Sequence, residues 1–208
     1  LVRAYGDVPY FTEMVTTDQV NSLTRTPAQE IFNAIIAECD KLSTELPADY
    51  TKLGLDGIAP AENGRVTCYA ALALKARAAL YAASPLFNPE NNKDLWRRAA
   101  EANKEVIETC TANGFKLSKY SELWGPNNWS NNEMIFVRRY NGNISTLEEY
   151  NFPMGVPGGN SGNCPTQNMV DAYEMKATGK MWNETGSGYD ASNPYAGRDP
   201  RFDMTIVK

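Results

Sequence analysis

The sequence has no histidine at all. That absence removes every nucleophilic triad built on an imidazole base, the metal hydrolases and deaminases that use His ligands, and the mixed Cys/His zinc sites. Cysteine is scarce and scattered: Cys39, Cys68, Cys110 and Cys164 form no C-x-x-C pair, and four isolated thiols make a poor metal site. Three of them fall within helical patterns, where a small buried apolar side chain is the simplest reading, and no disulfide is expected. Basic clusters are missing too. The longest are the pairs Arg97-Arg98 and Arg138-Arg139 in a chain of net charge −5 and pI near 4.9, so nothing neutralises a phosphate backbone and no nucleic-acid partner is expected.

Long apolar runs are absent as well. The longest such segment, around Tyr69 to Ala83, is interrupted by Lys75 and Arg77 and cannot span a bilayer. The chain opens "LVRAYGDVPY", with neither initiator Met nor signal peptide, which leads to the expectation that it lacks its natural N-terminus.

What is present is a set of helices followed by loops. In "TPAQEIFNAIIAECDKLSTELP" Thr26 stands as a cap, Pro27 suits a first turn and Gln29 completes a capping box. Ile31, Ile35, Cys39, Leu42 and Leu46 then line one face before Pro47 stops the helix. The next, "CYAALALKARAALYAAS" over 68–84, carries alanine on nearly every face and should be a central helix, ended near Ser84-Pro85. A third, "DLWRRAAEANKEVIETCTANGF", is expected to start at an Asp94 cap. It should bury Trp96, Ala99, Ala100, Asn103, Val106, Ile107 and Cys110, with Gly114 in the left-handed position after its end. Small residues at the contacts of consecutive helices suggest tetratricopeptide-type pairs.

Beyond Phe115 the pattern changes to Asn-, Gly- and Pro-rich loops. A short strand is expected at Met134 to Tyr140, a helix at "TQNMVDAYEM", and a strand at Phe202 to Val207 from the alternation of Phe202, Met204 and Ile206. The fold class is therefore mainly α, with helix pairs, long irregular loops and a few short strands. The helical scaffold covers about 26–114 and the loop-rich region about 115–208.

Candidate chemistry is sparse. Gly155, Gly158, Gly159 and Gly162 lack the Lys-Ser/Thr and the strand–turn–helix context of a phosphate loop. Carboxylates such as Asp171, Glu174 and Glu149 could run glycoside hydrolysis without His, but acidic residues early in a helix have the simpler role of complementing its dipole. No catalytic residue, metal or cofactor is assigned. The remaining signal is aromatic residues in polar loops: Trp129 with Asn128 in "NNWSNN", Tyr140 in "RRYNGN", Trp182 in "KMWNET" and Tyr189 in "SGYDAS". A flat apolar ring beside amides and hydroxyls suits a sugar, whose C–H face stacks while its hydroxyls find partners; the alternative is that each ring pins its own loop to the core. Trp96 and Trp124 fit packing positions. In "NPYAGRDPRF" the two arginines are expected to pair locally with Asp199 and Asp203 around a turn.

Five stretches in order, "YGDVPYFT", "ALKARAALYAASPLFN", "NEMIFVRRY", "PTQNMVDAYEM" and "AGRDPRF", resemble the SusD/RagB family of Bacteroidetes outer-membrane lipoproteins. The resemblance implies a non-enzymatic, mostly α-helical lipoprotein at the cell surface. Such a protein captures a glycan, or in some members a peptide, and delivers it to a SusC-like TonB-dependent transporter. It also implies that this chain is part of a longer member whose lipid anchor and C-terminal region lie outside it. Trp129, Tyr140, Trp182, Tyr189 and Asn128 are the candidate ligand contacts. A helical glycoside hydrolase or lyase using Asp171, Glu174 or Glu149, and a repeat adaptor binding proteins through its helical face, are the alternatives.

Overall fold

The first long helix is capped from a distance rather than by its neighbour. In the computed structural model, which describes residues 1–50, 64–124, 131–137 and 150–207, this helix runs Ala28–Glu45, with Pro27 rather than Thr26 at the cap position. Pro27 has no side-chain acceptor, and Asp7 Oδ1 accepts from the Ala28 N–H at 2.8 Å instead. Gln29 does not reach back either: its Nε2 donates to the carbonyls of Ala82 and Phe87, at 2.7 and 2.8 Å. With short helices at Val2–Tyr5 (α1) and Thr17–Val20 (α2), the Ala28–Glu45 helix is α3. An isolated antiparallel bridge, Val8 with Thr26, sets the N-terminal segment beside its start.

α4, Cys68–Ala83, has a Thr67 cap and ends at Ser84 before Pro85. α5, Lys93–Ala112, is capped by Asn92, whose Oδ1 accepts from the Asp94 N–H at 2.9 Å, so Asp94 is the recipient and not the cap. Gly114 takes the expected left-handed conformation at φ 88°. α4 packs against both α3 and α5. Each neighbour runs antiparallel to it: Gln29 at the start of α3 meets Ala82 at the end of α4, and Tyr69 at the start of α4 meets Phe115 just past α5, ring centroids 5.0 Å apart.

Alanine explains the closeness. Ala76, Ala78, Ala79, Ala82 and Ala83 of α4 are all buried against Ile31, Phe32 and Ile36 of α3 and Ala99 and Ala102 of α5. Phe32 and Phe87 meet edge-to-face at 5.1 Å within that core. The buried face of α5 is Ala99, Ala102 and Cys110, with Val106 partly buried, rather than the wider stripe expected. Ile107 is exposed, and Trp96 sits at the rim with its indole N–H donating to Asn91 Oδ1 at 3.1 Å. Trp124 is exposed too, against the expectation of a packing role, and forms an edge-to-face pair with Tyr120 at 5.8 Å. All four cysteines are free thiols, and burial pushes those of Cys39, Cys68 and Cys110 above their ordinary pKa.

The chain divides into two compact units, Leu1–Arg139 and Tyr140–Lys208. In the second, a single turn of helix at Gln167–Asp171 (α6) is capped by Thr166, whose Oγ1 accepts from Met169 N. The end of this unit corrects the sequence reading. Residues Pro200–Thr205 form a helix (α7) and not a strand, capped by Asp199 with Pro200 in its first turn. Phe202 and Ile206, four apart, are buried on one face with Val170 and Tyr173, whereas Met204 is exposed. The strand expected at Met134 to Tyr140 is not found over residues 131–137, which form turns; the remainder lies outside the described residues. Among the described residues the fold is mainly helical, with only isolated bridges of β type.

Candidate functional site

The loop between α6 and α7 is closed at its base by a second antiparallel bridge, Met175 with Arg198. Lys176 N donates to Gly197 O at 2.8 Å and Asp199 N to Glu174 O at 2.9 Å. Just inside, Met175 N donates to Lys180 O and Gly179 N to Met175 O, both at 2.8 Å, a tight turn that Gly179 permits at φ 64°.

Within this loop Ser187 is the buried hub. Its Oγ donates to the Trp182 carbonyl and accepts from the Tyr189 N–H, both at 3.2 Å, while its own carbonyl accepts from Thr178 Oγ1 at 3.0 Å. Gly186 and Gly188 flank it with φ of 75° and 80°, so the chain doubles back around the serine. The result brings Trp182 and Tyr189 together. Their ring centroids lie 5.5 Å apart at 62°, an edge-to-face pair, and both residues are partly exposed. Surrounding atoms are further fixed by Lys180 Nζ donating to Thr185 O at 2.8 Å and by Met181 N donating to Glu184 Oε2 at 2.6 Å.

Against the Tyr189 ring lies Arg198, 5% exposed. Its Nη1 donates to Tyr173 O at 2.8 Å, its Nε to Pro194 O at 3.0 Å, and its Cζ stands 5.3 Å from the centroid of the Tyr189 ring. The expected local ion pairing of both arginines therefore holds for one only. Arg201 grips Asp199 with two bonds, Nε to Oδ1 at 2.8 Å and Nη2 to Oδ2 at 2.7 Å, and this fork holds the Asp199 carboxyl down at a pKa of about 2. Arg198 points inward to carbonyls and a ring.

Of the sequence candidates, Trp182 and Tyr189 are thus united, while Trp129, Tyr140 and Asn128 lie outside the described residues. Among the described residues, the two candidate carboxyl residues have separate partners. Asp171 accepts from Gln167 Nε2 at 2.8 Å along α6, Glu174 enters the bridge through its backbone carbonyl, and Glu149 lies outside the described residues. Ser187 escapes sequence reasoning, which assigns Arg198 only the part of a local ion-pair partner. Neither role has a local signature, since each acts on partners brought to it by the loop closure.

Residues 127–208, which contain this whole loop, match the model of the SusD family. Almost the full chain is similar to a SusD-like protein of Formosa agariphila, 25% identical over 224 residues that take in 98% of this chain. The fold agrees with two solved Bacteroides fragilis structures. One is a SusD-like protein, with TM-score 0.66, 25% identity and 97% of this chain covered. The other is a SusD-like carbohydrate binding protein, with TM-score 0.73, 26% identity and 98% covered. The chain is thus similar to SusD-like proteins over almost its whole length, with the family match itself confined to residues 127–208.

The chain spans 38% of the length of the Formosa protein, and 38% and 36% of the two structures. Among its described residues no helix is long and apolar enough to cross a membrane, and no group of three or more Cys, Asp or Glu side chains could hold a metal ion.

Proposed function

We propose that this chain captures carbohydrate without transforming it, as part of a cell-surface outer-membrane lipoprotein that passes the glycan to a SusC-like TonB-dependent transporter. On this reading the helices of about 26–114 serve as scaffold and the loop-rich region of about 115–208 carries the ligand. Trp182 and Tyr189 are the contacts of first importance, and Trp129, Tyr140 and Asn128 are further candidate ligand contacts.

The observation that supports the reading is the Trp182–Tyr189 pair: two partly exposed rings in a polar loop, fixed to one another through Ser187. A sugar stacks its C–H face on such a ring, and a fixed pair spends little conformational entropy on binding. The Bacteroides fragilis relative described as carbohydrate binding makes a glycan the first ligand class to test, with a peptide second.

Calorimetric titration against a panel of starch, β-1,3-glucan, xylan, mannan and polygalacturonate tests the reading. Trp182→Ala should weaken the bound glycan by about ten- to a hundredfold, the equivalent of roughly 1–3 kcal/mol for a lost ring contact. Prolonged incubation with that glycan should release no new reducing ends. A panel with no binder, or unchanged affinity in both Trp182→Ala and Tyr189→Ala, would sink the assignment.

A further inference from the structure

The observation that reaches furthest is the position of Arg198. A guanidinium that is 5% exposed sits in a place where burial of charge is costly, yet no carboxylate among the described residues pairs with it. Its charge is answered by two backbone carbonyls, Tyr173 O and Pro194 O, and by the face of Tyr189. These three partners come from different parts of the loop. Tyr173 follows the Ala172 cap of α6, Pro194 lies near the loop's return, and Tyr189 carries the ring paired edge-to-face with Trp182. Arg198 is itself one half of the bridge that shuts the loop.

A planar fork is the one side chain that meets all three demands at once. Lysine would keep the charge but has no plane to lay on a ring and no fixed geometry for two divergent carbonyls. We propose that Arg198 is a positioning residue for carbohydrate binding: it holds the Tyr189 ring, and through it Trp182, in the orientation that receives the sugar. This rests on the reading of that ring pair as the carbohydrate contact. Arg198 acts through Tyr189, without a contact to ligand of its own.

The test uses the full chain labelled with 5-fluorotryptophan, with the Trp182 resonance identified by its loss in Trp182→Phe. Arg198→Lys should shift the Trp182 resonance while leaving those of Trp96 and Trp124 in place. It should also weaken the panel glycan about tenfold, the size expected for a lost cation–ring contact, at a temperature where the variant is fully folded. A role confined to stability would lower the melting temperature and leave both the Trp182 resonance and the affinity unmoved, which overturns the proposal. Trp182→Ala separates the two readings. If it weakens binding while Arg198→Lys does not, the ring pair stands as the contact and the positioning role is wrong. If the wild-type chain binds but Trp182→Ala and Tyr189→Ala are both silent, the contact assignment itself fails and the positioning role falls with it.

Discussion

The carboxylate of Asp7 accepts a hydrogen bond from the backbone N–H of Ala28 at 2.8 Å, across 21 positions of sequence. A helix leaves its first N–H groups without partners, and Pro27 at the cap position has no side-chain acceptor to offer. Asp7 therefore does the work of a cap while tying the N-terminal segment to α3. Asp7→Ala should cost about 1 kcal/mol of stability, and Asp7→Asn a few tenths, because an amide oxygen caps nearly as well as a carboxylate. Urea denaturation midpoints check this; equal stability of wild type and Asp7→Ala would remove the cap from the account.

Lys75 of α4 reaches Asp40 of α3 on one side and Glu105 of α5, at 2.6 Å, on the other. Burial alone would lower its pKa, but the hydrogen bonds to both carboxylates outweigh that and raise it above 10.5. A raised folded-state pKa means the contribution to stability is complete below the unfolded value and is lost as pH rises through the folded one. The difference in unfolding free energy between wild type and Lys75→Met should be constant at neutral pH, about 1 kcal/mol or less for carboxylates that are half exposed. It should shrink above about pH 10.5. A difference that stays flat to pH 12 would mean the ammonium is not what links the three helices.

The long helices were legible because their signals are local and redundant: a stripe of period 3.6, Pro47 and Pro85 as stops, Gly114 as terminator. The caps were less so. Asp7 lies too far from Ala28 for any spacing rule to find, and Asn92 lies two residues before the Asp94 that looked like a cap. The end of the second unit misled for a different reason. Over six residues, Phe202 and Ile206 fit both an alternating and a four-residue period, and Met204 between them tipped the balance to a strand. Asp199-Pro200 held the missing information, a cap followed by proline in the first turn. At the site, composition singled out Trp182 and Tyr189 as unusual rings, but not that Ser187 folds one onto the other or that Arg198 lies against Tyr189. Those contacts belong to a closed loop, not to a spacing.

Asp199 both caps α7 and grips Arg201. The fork from Arg201, reinforced by the Arg201 backbone N–H, draws its pKa from 3.8 to about 2. A depressed carboxyl stabilises the folded state above its unfolded pKa, and that contribution disappears as pH falls from the unfolded toward the folded value. The melting temperature of wild type should accordingly drop more steeply than that of Asp199→Asn between about pH 4 and pH 2. Parallel curves over that window would show the fork to be without thermodynamic effect.

Phe202 is wholly buried, 0% exposed, between two tyrosines: Tyr195 stacks on it at 5.8 Å and 23°, and Tyr173 meets it edge-on at 5.4 Å and 86°. Tyr173 is also the residue whose carbonyl accepts from Arg198, so the packing of α7 and the support of the ring pair share a member. Because the cluster around Phe202 in the second unit is small, with Val170 and Ile206 as its other buried apolar members, one truncation should be felt throughout it. Phe202→Ala should destabilise this unit by about 3–5 kcal/mol. Amide exchange over residues 166–206 should accelerate in step, while exchange in α3, α4 and α5 stays as in wild type. Protection left intact near Phe202 in the variant would mean that the aromatic cluster is not what holds α7, and Arg198 would then need another anchor.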